Sequence, residues 1–223
     1  LGLTDARLFL ASFDRPNITY RILPKDQERR QLLDFLRRRP EDAGVVYCLS
    51  RGKVDAIAQY LAEQGVDALP YHAGLDPATR QANQDRFIKG EGVVMVATVA
   101  FGMGIDKPNV RFVVHMDPPR SLEAYYQETG RAGRDGLPAE ALMLYGFADV
   151  VQMRMMVESS DSPPAFKRTE RQKLEALLGF CETARCRRQT LLTYFDEEYP
   201  KPCGKCDTCF QPVETYDGTV VAP

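Results

Sequence analysis

From residue 44 onward the chain alternates short, continuous apolar runs with amphipathic stretches, and this alternation restricts the fold more than any other feature. GVVYCL is followed by a stretch with Val54, Ile57 and Leu61 on one helical face, then by DALPY. Asp76-Pro77 has the form of a helix start, with Asp at the N-cap and Pro in the first turn, and the helix is expected to run to about Lys89. VVMVAT (93–98), VRFVVH (110–115) and EALMLY (140–145) complete the pattern, with a helix beginning near Ser121. Such runs, rich in β-branched residues, suit central strands covered on both faces. Strands separated by helices imply βαβ units and a parallel sheet. The expected class is therefore α/β.

The pattern changes after residue 146. Residues 147–160 predict a helix, Ser162-Pro163-Pro164 breaks it, and residues 166–182 predict another with Leu174, Leu177, Leu178 and Cys181 on one face. A short helix through Leu191, Leu192 and Phe195 leads into a cysteine cluster, and QPVETYDGTVVAP reads as a linker. The expected division is 1–12 as the end of a preceding region, 13–150 as a sheet domain, 151–212 as a small helical domain, and 213–223 as the linker. With 223 residues, 44% of them hydrophobic, there is enough chain for one large or two modest cores. No stretch approaches the ~18 consecutive apolar residues of a membrane span, and the first residues lack a secretory pattern. The expected setting is cytoplasmic, nucleoid-associated if bacterial, with no membrane partner. A net charge of −2 does not announce a nucleic-acid binder, so contact with nucleic acid must be local. Arg185, Arg187 and Arg188 form the one local basic patch of the C-terminal region.

Four of the six cysteines fall between residues 186 and 209. CGKCDTC sets Cys203, Cys206 and Cys209 at successive C-x2-C spacings, and Cys186 stands 17 residues upstream of Cys203. A structural zinc site wants four thiolate or imidazole ligands in a tetrahedron, and C-x2-C lets two thiolates turn back onto one ion. These four are the expected Zn2+ ligands. An iron–sulfur cluster shares part of the spacing, but the C-x3-C-P element that would follow is absent. Cys181 is a rival fourth ligand, although it continues the apolar face of its helix.

QETGRAGRDG (127–136) interleaves Arg131 and Arg134 with small residues, on what the pattern predicts to be the last turn of a helix. Arginines three apart share a helical face, small neighbours admit a close approach, and a guanidinium can bond two phosphate oxygens at once. Solvated arginines at a helix end are the plainer reading.

This segment closely resembles motif VI of superfamily 2 helicases in its RecQ form, and VATVAFGMGIDKPNVRFVVHMDPP (96–119) resembles the preceding motif V. VVYCLSR (45–51) is similar to motif IV, YHAGL (71–75) to the block after it, and FDRPNI (13–18) to the segment joining two motor lobes. CRRQTLLTYFDE followed by CGKCDTC is similar to the RecQ zinc region. The resemblance implies a RecA-like parallel sheet flanked by helices, followed by a small helical zinc-binding domain, with a winged-helix domain as a possible successor to the linker. It implies the second lobe of an ATP-dependent, 3′ to 5′ DNA helicase of repair and recombination, acting on single strands and duplex junctions. By the same resemblance Arg134 is the arginine finger, with Arg131 and Gln127 beside the nucleotide. Gly102, Gly104 and Asp106 couple nucleotide state to DNA grip. Thr98 contacts the single-strand backbone, and Ser50 and Arg51 lie where a phosphate contact, or ordinary capping, is expected. His72 has both a phosphate-contact and a structural reading.

The phosphate-binding loop G-x4-G-K-[ST] is absent. Gly52-Lys53 has Tyr47 at the earlier glycine position and Val54 in place of Ser or Thr. Gly204-Lys205 fails likewise, with Tyr199 and Cys206. FGMGIDK is no dinucleotide fingerprint, because Lys107 takes the third glycine position. ATP and Mg2+ are accordingly expected on a first lobe outside this sequence, and the chain alone is expected to be inactive. Two rivals are a non-catalytic zinc-stabilised DNA-binding or interaction module, and an RNA helicase of the same superfamily. The zinc cluster and FDRPNI weigh against the second.

Overall fold

The structure, a computed structural model, describes residues 12–102 and 105–212. Residues 1–11, Gly104 and the expected linker 213–223 lie outside the described residues. The elements are β1 (Ile18–Pro24), α1 (Glu28–Leu36), β2 (Gly44–Tyr47), α2 (Arg51–Glu63), β3 (Ala68–Tyr71), α3 (Pro77–Lys89), β4 (Val94–Ala97) and β5 (Phe112–His115). They continue with α4 (Leu122–Thr129), β6 (Ala139–Tyr145), α5 (Phe147–Glu158), α6 (Pro164–Glu182), α7 (Arg187–Tyr194) and α8 (Asp207–Phe210). Among the described residues all five strand pairings are parallel, in the order β1-β6-β5-β2-β4-β3.

The apolar runs form the buried middle of this sheet. Every residue of β2, β4 and β5 is buried, as a strand covered on both faces requires. Val46, Val96 and Val114 face α1 and α2, where Val54, Ile57 and Leu61 complete one core. Burying each of these three helix side chains stabilises the domain by roughly 1.5 to 3 kcal/mol. Val45, Met95 and Val113 face the opposite way, toward Phe87 of α3, Phe101 and Ala132. Helix starts follow the expected chemistry. The Asp76 carboxylate accepts from Thr79 N–H at 2.9 Å, and Ser121 Oγ accepts from Ala124 N–H at 3.2 Å.

β1 and α1 lie in a stretch for which the sequence reading offered no element. Alternation was present there: Ile18, Tyr20 and Ile22 point inward, and Leu32, Leu33 and Leu36 form the buried face of α1. Among the described residues β1 pairs only with β6, and its other edge needs cover. The zinc region supplies it. Asp207 Oδ2 accepts from Ile22 N–H at 2.8 Å, and Arg188 donates to Ile18 O at 2.7 Å. Tyr20, Leu177, Phe180 and Cys206 then share one core, so the small helical region packs directly on the sheet edge. Arg187 and Arg188 are buried in this junction, which corrects the expected basic patch: of the three arginines only Arg185 is exposed. Burial of a guanidinium requires carbonyl or carboxylate partners. Arg187 finds Phe180 O, Cys181 O and Asp207.

Candidate functional site

Parallel sheets present ligand-binding loops at the carboxyl ends of their strands. Here β2, β4 and β3 are neighbours, and the residues after them are joined by backbone bonds, Cys48 N–H to Ala97 O at 2.9 Å and Thr98 N–H to Tyr71 O at 3.2 Å. Ser50, Arg51, Thr98 and His72 therefore emerge side by side. Ser50 Oγ caps α2 by accepting from Lys53 N–H at 3.2 Å, and both Ser50 and Arg51 are exposed. His72 is buried, with Nε2 2.9 Å from Asp55 and Nδ1 accepting from Gly74 N–H at 3.1 Å. A Cβ on Gly74 would sit 3.1 Å from His72 Nδ1 and 3.2 Å from Arg51 Cδ, so those side chains converge on that glycine.

Beside this edge lies a charge network centred on Asp117. Its carboxylate receives Lys53 Nζ at 2.7 Å, Lys25 Nζ at 3.2 Å and Leu49 N–H at 2.9 Å. Burial alone would raise the Asp117 pKa, but these donors outweigh it and hold the carboxyl below its ordinary value. Lys53, the lysine of the false phosphate loop, is committed to Asp117 and to Glu28 at 2.8 Å.

Arg131 and Arg134 do not lie on a helix. α4 ends at Thr129, and residues 130–135 form consecutive turns, which corrects the expected helical placement. The physical reason is glycine. Past the Gly130 C-cap, Arg131 and Ala132 N–H bond only three residues back, and Gly133, at φ +59°, then takes a left-handed conformation in which the helix cannot resume; a Cβ there would lie 2.3 Å from Asn17 Nδ2. Arg131 donates to Gly102 O, and a Cβ on Gly102, whose φ is +141°, would fall 2.1 Å from the guanidinium carbon. The Tyr47 hydroxyl donates to Phe101 O at 3.1 Å next to this pair, and burial raises its pKa. Arg134 donates to Ile105 O at 2.9 Å and faces Asp106 Oδ1 at 3.4 Å. Asp106 is 89% exposed and Arg134 38% exposed, so this pair is open to solvent. Gln127 is exposed on the last turn of α4, and no described hydrogen bond joins it to either arginine.

The segment after β4 thus touches both clusters. Thr98 O accepts from Phe101 N–H at 3.0 Å, and Gly102 O and Ile105 O receive the two arginines. Sequence reasoning missed the groups that hold the arginine loop. Arg15 donates to Gly130 O and Ala132 O, both at 2.9 Å, and to Gly133 O at 3.1 Å. Asn17 Nδ2 donates to Gly133 O at 2.8 Å and Leu137 O at 2.9 Å. Buried His115 Nε2 meets Glu128 at 2.6 Å and ties β5 to the end of α4. A histidine inside an otherwise apolar strand was the available signal.

Cys186, Cys203, Cys206 and Cys209 bring their sulfurs within 4.8 Å of one another. The separations Cys206 to Cys186, Cys206 to Cys209 and Cys203 to Cys209 are 3.9, 3.4 and 4.0 Å. A tetrahedron with Zn–S bonds of about 2.3 Å has edges of about 3.8 Å, so the four sulfurs fit one zinc ion. Backbone N–H groups of Cys203 and Arg187 reach Cys186 Sγ and Cys206 Sγ at 3.3 and 3.4 Å, as stabilised thiolates require. Cys181 stands outside this group and packs in the core, where burial pushes its thiol up to about 12.

Residues 27–136 match the helicase conserved C-terminal domain family, and residues 147–210 match the RecQ zinc-binding family. A Pasteurella multocida protein named ATP-dependent DNA helicase RecQ is 47% identical over 223 residues, 100% of this chain and 35% of that protein. The chain belongs to the RecQ family. A Xenopus laevis protein named RecQ-like DNA helicase BLM is 40% identical over 94% of the chain and 16% of its own length. The chain thus spans 35% of the Pasteurella relative and 36% of a Haemophilus influenzae RecQ. In fold it is similar to the E. coli DEAD-box protein SrmB, solved bound to RraA, with a TM-score of 0.52 and 25% identity over 63% of this chain and 84% of that one. The RecQ chain therefore has a RecA-like parallel sheet flanked by helices, followed by a helical zinc-binding domain. Among its described residues, no helix is long and apolar enough to cross a membrane.

Proposed function

We propose that this RecQ chain is the C-terminal motor lobe (13–150) and zinc module (151–212) of an ATP-dependent 3′ to 5′ DNA helicase of repair and recombination. The observation that carries the reading is the seating of Arg131 and Arg134 on the backbone of the segment that begins at Thr98. A first lobe supplies the ATP and Mg2+ cradle, and the chain alone does not turn over ATP. When the lobes close on ATP, Arg134 exchanges Asp106 for the γ-phosphate. At 3.4 Å between exposed groups, the Asp106 pair is long and weak and is given up at little cost, while the 2.9 Å bond to Ile105 O is replaced by charge-assisted bonds to phosphate oxygens. Arg131 stays on Gly102 beside the nucleotide, with Gln127 at the same end of α4.

Release of Ile105 O and Asp106 by Arg134 shifts the segment that starts at Thr98. Thr98, Ser50 and Arg51 form the single-strand track at the strand ends. Hydrolysis thereby alters the grip on DNA. Removing an arginine finger costs ~10³ to 10⁵ in turnover in related NTPases. In the full-length protein, Arg134→Ala should lower the DNA-stimulated ATPase kcat on that scale while leaving zinc content and the unfolding midpoint unchanged. Unchanged turnover would overturn the assignment, and stronger stimulation by RNA than by DNA would overturn the substrate class. Burial of Arg187 and Arg188 argues against a stand-alone basic DNA-binding module.

A further inference from the structure

Residues 12–17 touch the zinc module on one side and the arginine loop on the other. At the zinc end, both Glu197 carboxylate oxygens are engaged, one by Ser12 Oγ and the other by Phe13 N–H at 2.7 Å. The Phe13 ring stacks on Phe195 with centroids 4.9 Å apart and planes 11° from parallel, and Tyr126 OH donates to Phe13 O at 3.0 Å. Asp14 pairs with Arg188, which is 2% exposed and reaches on to Ile18 O at 2.7 Å. At the other end Arg15 collects three carbonyls of the loop, and Asn17 collects two.

The arginine loop needs such an anchor. Gly130, Gly133 and Gly136 fall within seven residues, so its backbone carries unusual conformational freedom. Converging carbonyls are partial negative charges that repel unless a donor array sits between them, and a guanidinium offers five N–H groups in a fixed fork. Arg15 fills that place. Because residues 12–14 are fastened to the zinc module, Arg15 has little freedom to follow the loop if the loop drifts.

We propose that residues 12–17 form a latch through which the zinc module sets the position of the arginine loop, with Arg15 and Asn17 as positioning residues for Arg131 and Arg134. This inference rests on the role proposed above for Arg134. It makes zinc binding an input to the rate of ATP hydrolysis, beyond its part in folding.

The test uses the full-length protein and compares Arg15→Ala, Asn17→Ala, Glu197→Ala, Arg134→Ala and the Arg15→Ala/Arg134→Ala pair. DNA-stimulated ATPase kcat and KM, zinc content and thermal unfolding are measured for each. Arg15→Ala should lower kcat ~10- to 100-fold, the weight of lost charge-assisted hydrogen bonds, with little change in KM for ATP and one zinc retained. Asn17→Ala and Glu197→Ala should each lower kcat ~3- to 10-fold. The paired variant should be about as slow as Arg134→Ala alone, because both residues act through one transition-state contact. Multiplied losses in the pair, or kcat losses that merely follow falling thermal stability, would overturn the latch. Normal kcat in Arg15→Ala beside a slow Arg134→Ala removes the latch and leaves the finger. Normal kcat in Arg134→Ala removes the finger reading, and the latch with it.

Discussion

At Gly102 a single hydrogen atom in place of a side chain admits the Arg131 guanidinium. Gly102→Ala would place a methyl 2.1 Å from the guanidinium carbon and force a φ of +141° on a residue with a Cβ. Backbone strain of this type costs about 1 to 3 kcal/mol. The variant should therefore lose that much stability and also release Arg131 from the segment after β4, seen as a kcat loss larger than Lys53→Ala produces. Equal kcat losses would show that Gly102 acts only through stability. Asp117 sets a pH dependence. Its folded-state pKa lies below the ordinary value, so its contribution is fully present above about pH 4 and is lost as pH falls through the depressed value. Asp117→Asn should cost roughly 1 to 3 kcal/mol near neutrality, with the gap closing in acid. Denaturant unfolding at several pH values measures it, and a gap independent of pH would contradict the linkage.

At the level of elements, the strands, helix starts and cysteine module were legible because each rests on local chemistry. A continuous apolar run, an Asp-Pro helix start and a C-x2-C turn mean the same thing in most surroundings. The arginine loop was misread as helix because helical spacing and a preceding helix agreed, while the carbonyl of the left-handed Gly133 is held by Asn17, 116 residues away. β1 was overlooked because its covering is remote: its outer edge is closed by Asp207, 185 residues from Ile22. That closure makes zinc removal measurable in the sheet. Chelation, or Cys206→Ser, should speed hydrogen exchange at Ile22 while β5 amides stay protected. Equal protection at Ile22 with and without metal would mean that α8 keeps its place unaided. Exposing an edge strand also invites association, so the metal-free protein should scatter light on standing.

Across the whole molecule, the sheet, the arginine loop and the zinc module form one connected body, joined by β1 and residues 12–17. Loss of the zinc module's fold is expected to register in the sheet edge and in the arginine loop. Cys206→Ser should therefore cost stability chiefly and turnover secondarily, whereas Arg134→Ala should cost turnover and leave the unfolding midpoint unchanged; equal folding defects in both would remove that division.

By itself the sequence determined the α/β class, the run of central strands, the four-cysteine set and the membership implied by motif order. Periodicity and short-range spacing encode those features directly. Only the tertiary structure decided where the arginines sit, that Arg187 and Arg188 are buried supports, and that the FDRPNI segment grips two regions at once. Those properties depend on which distant carbonyls and carboxylates meet a given donor, and chain order carries no local trace of such meetings.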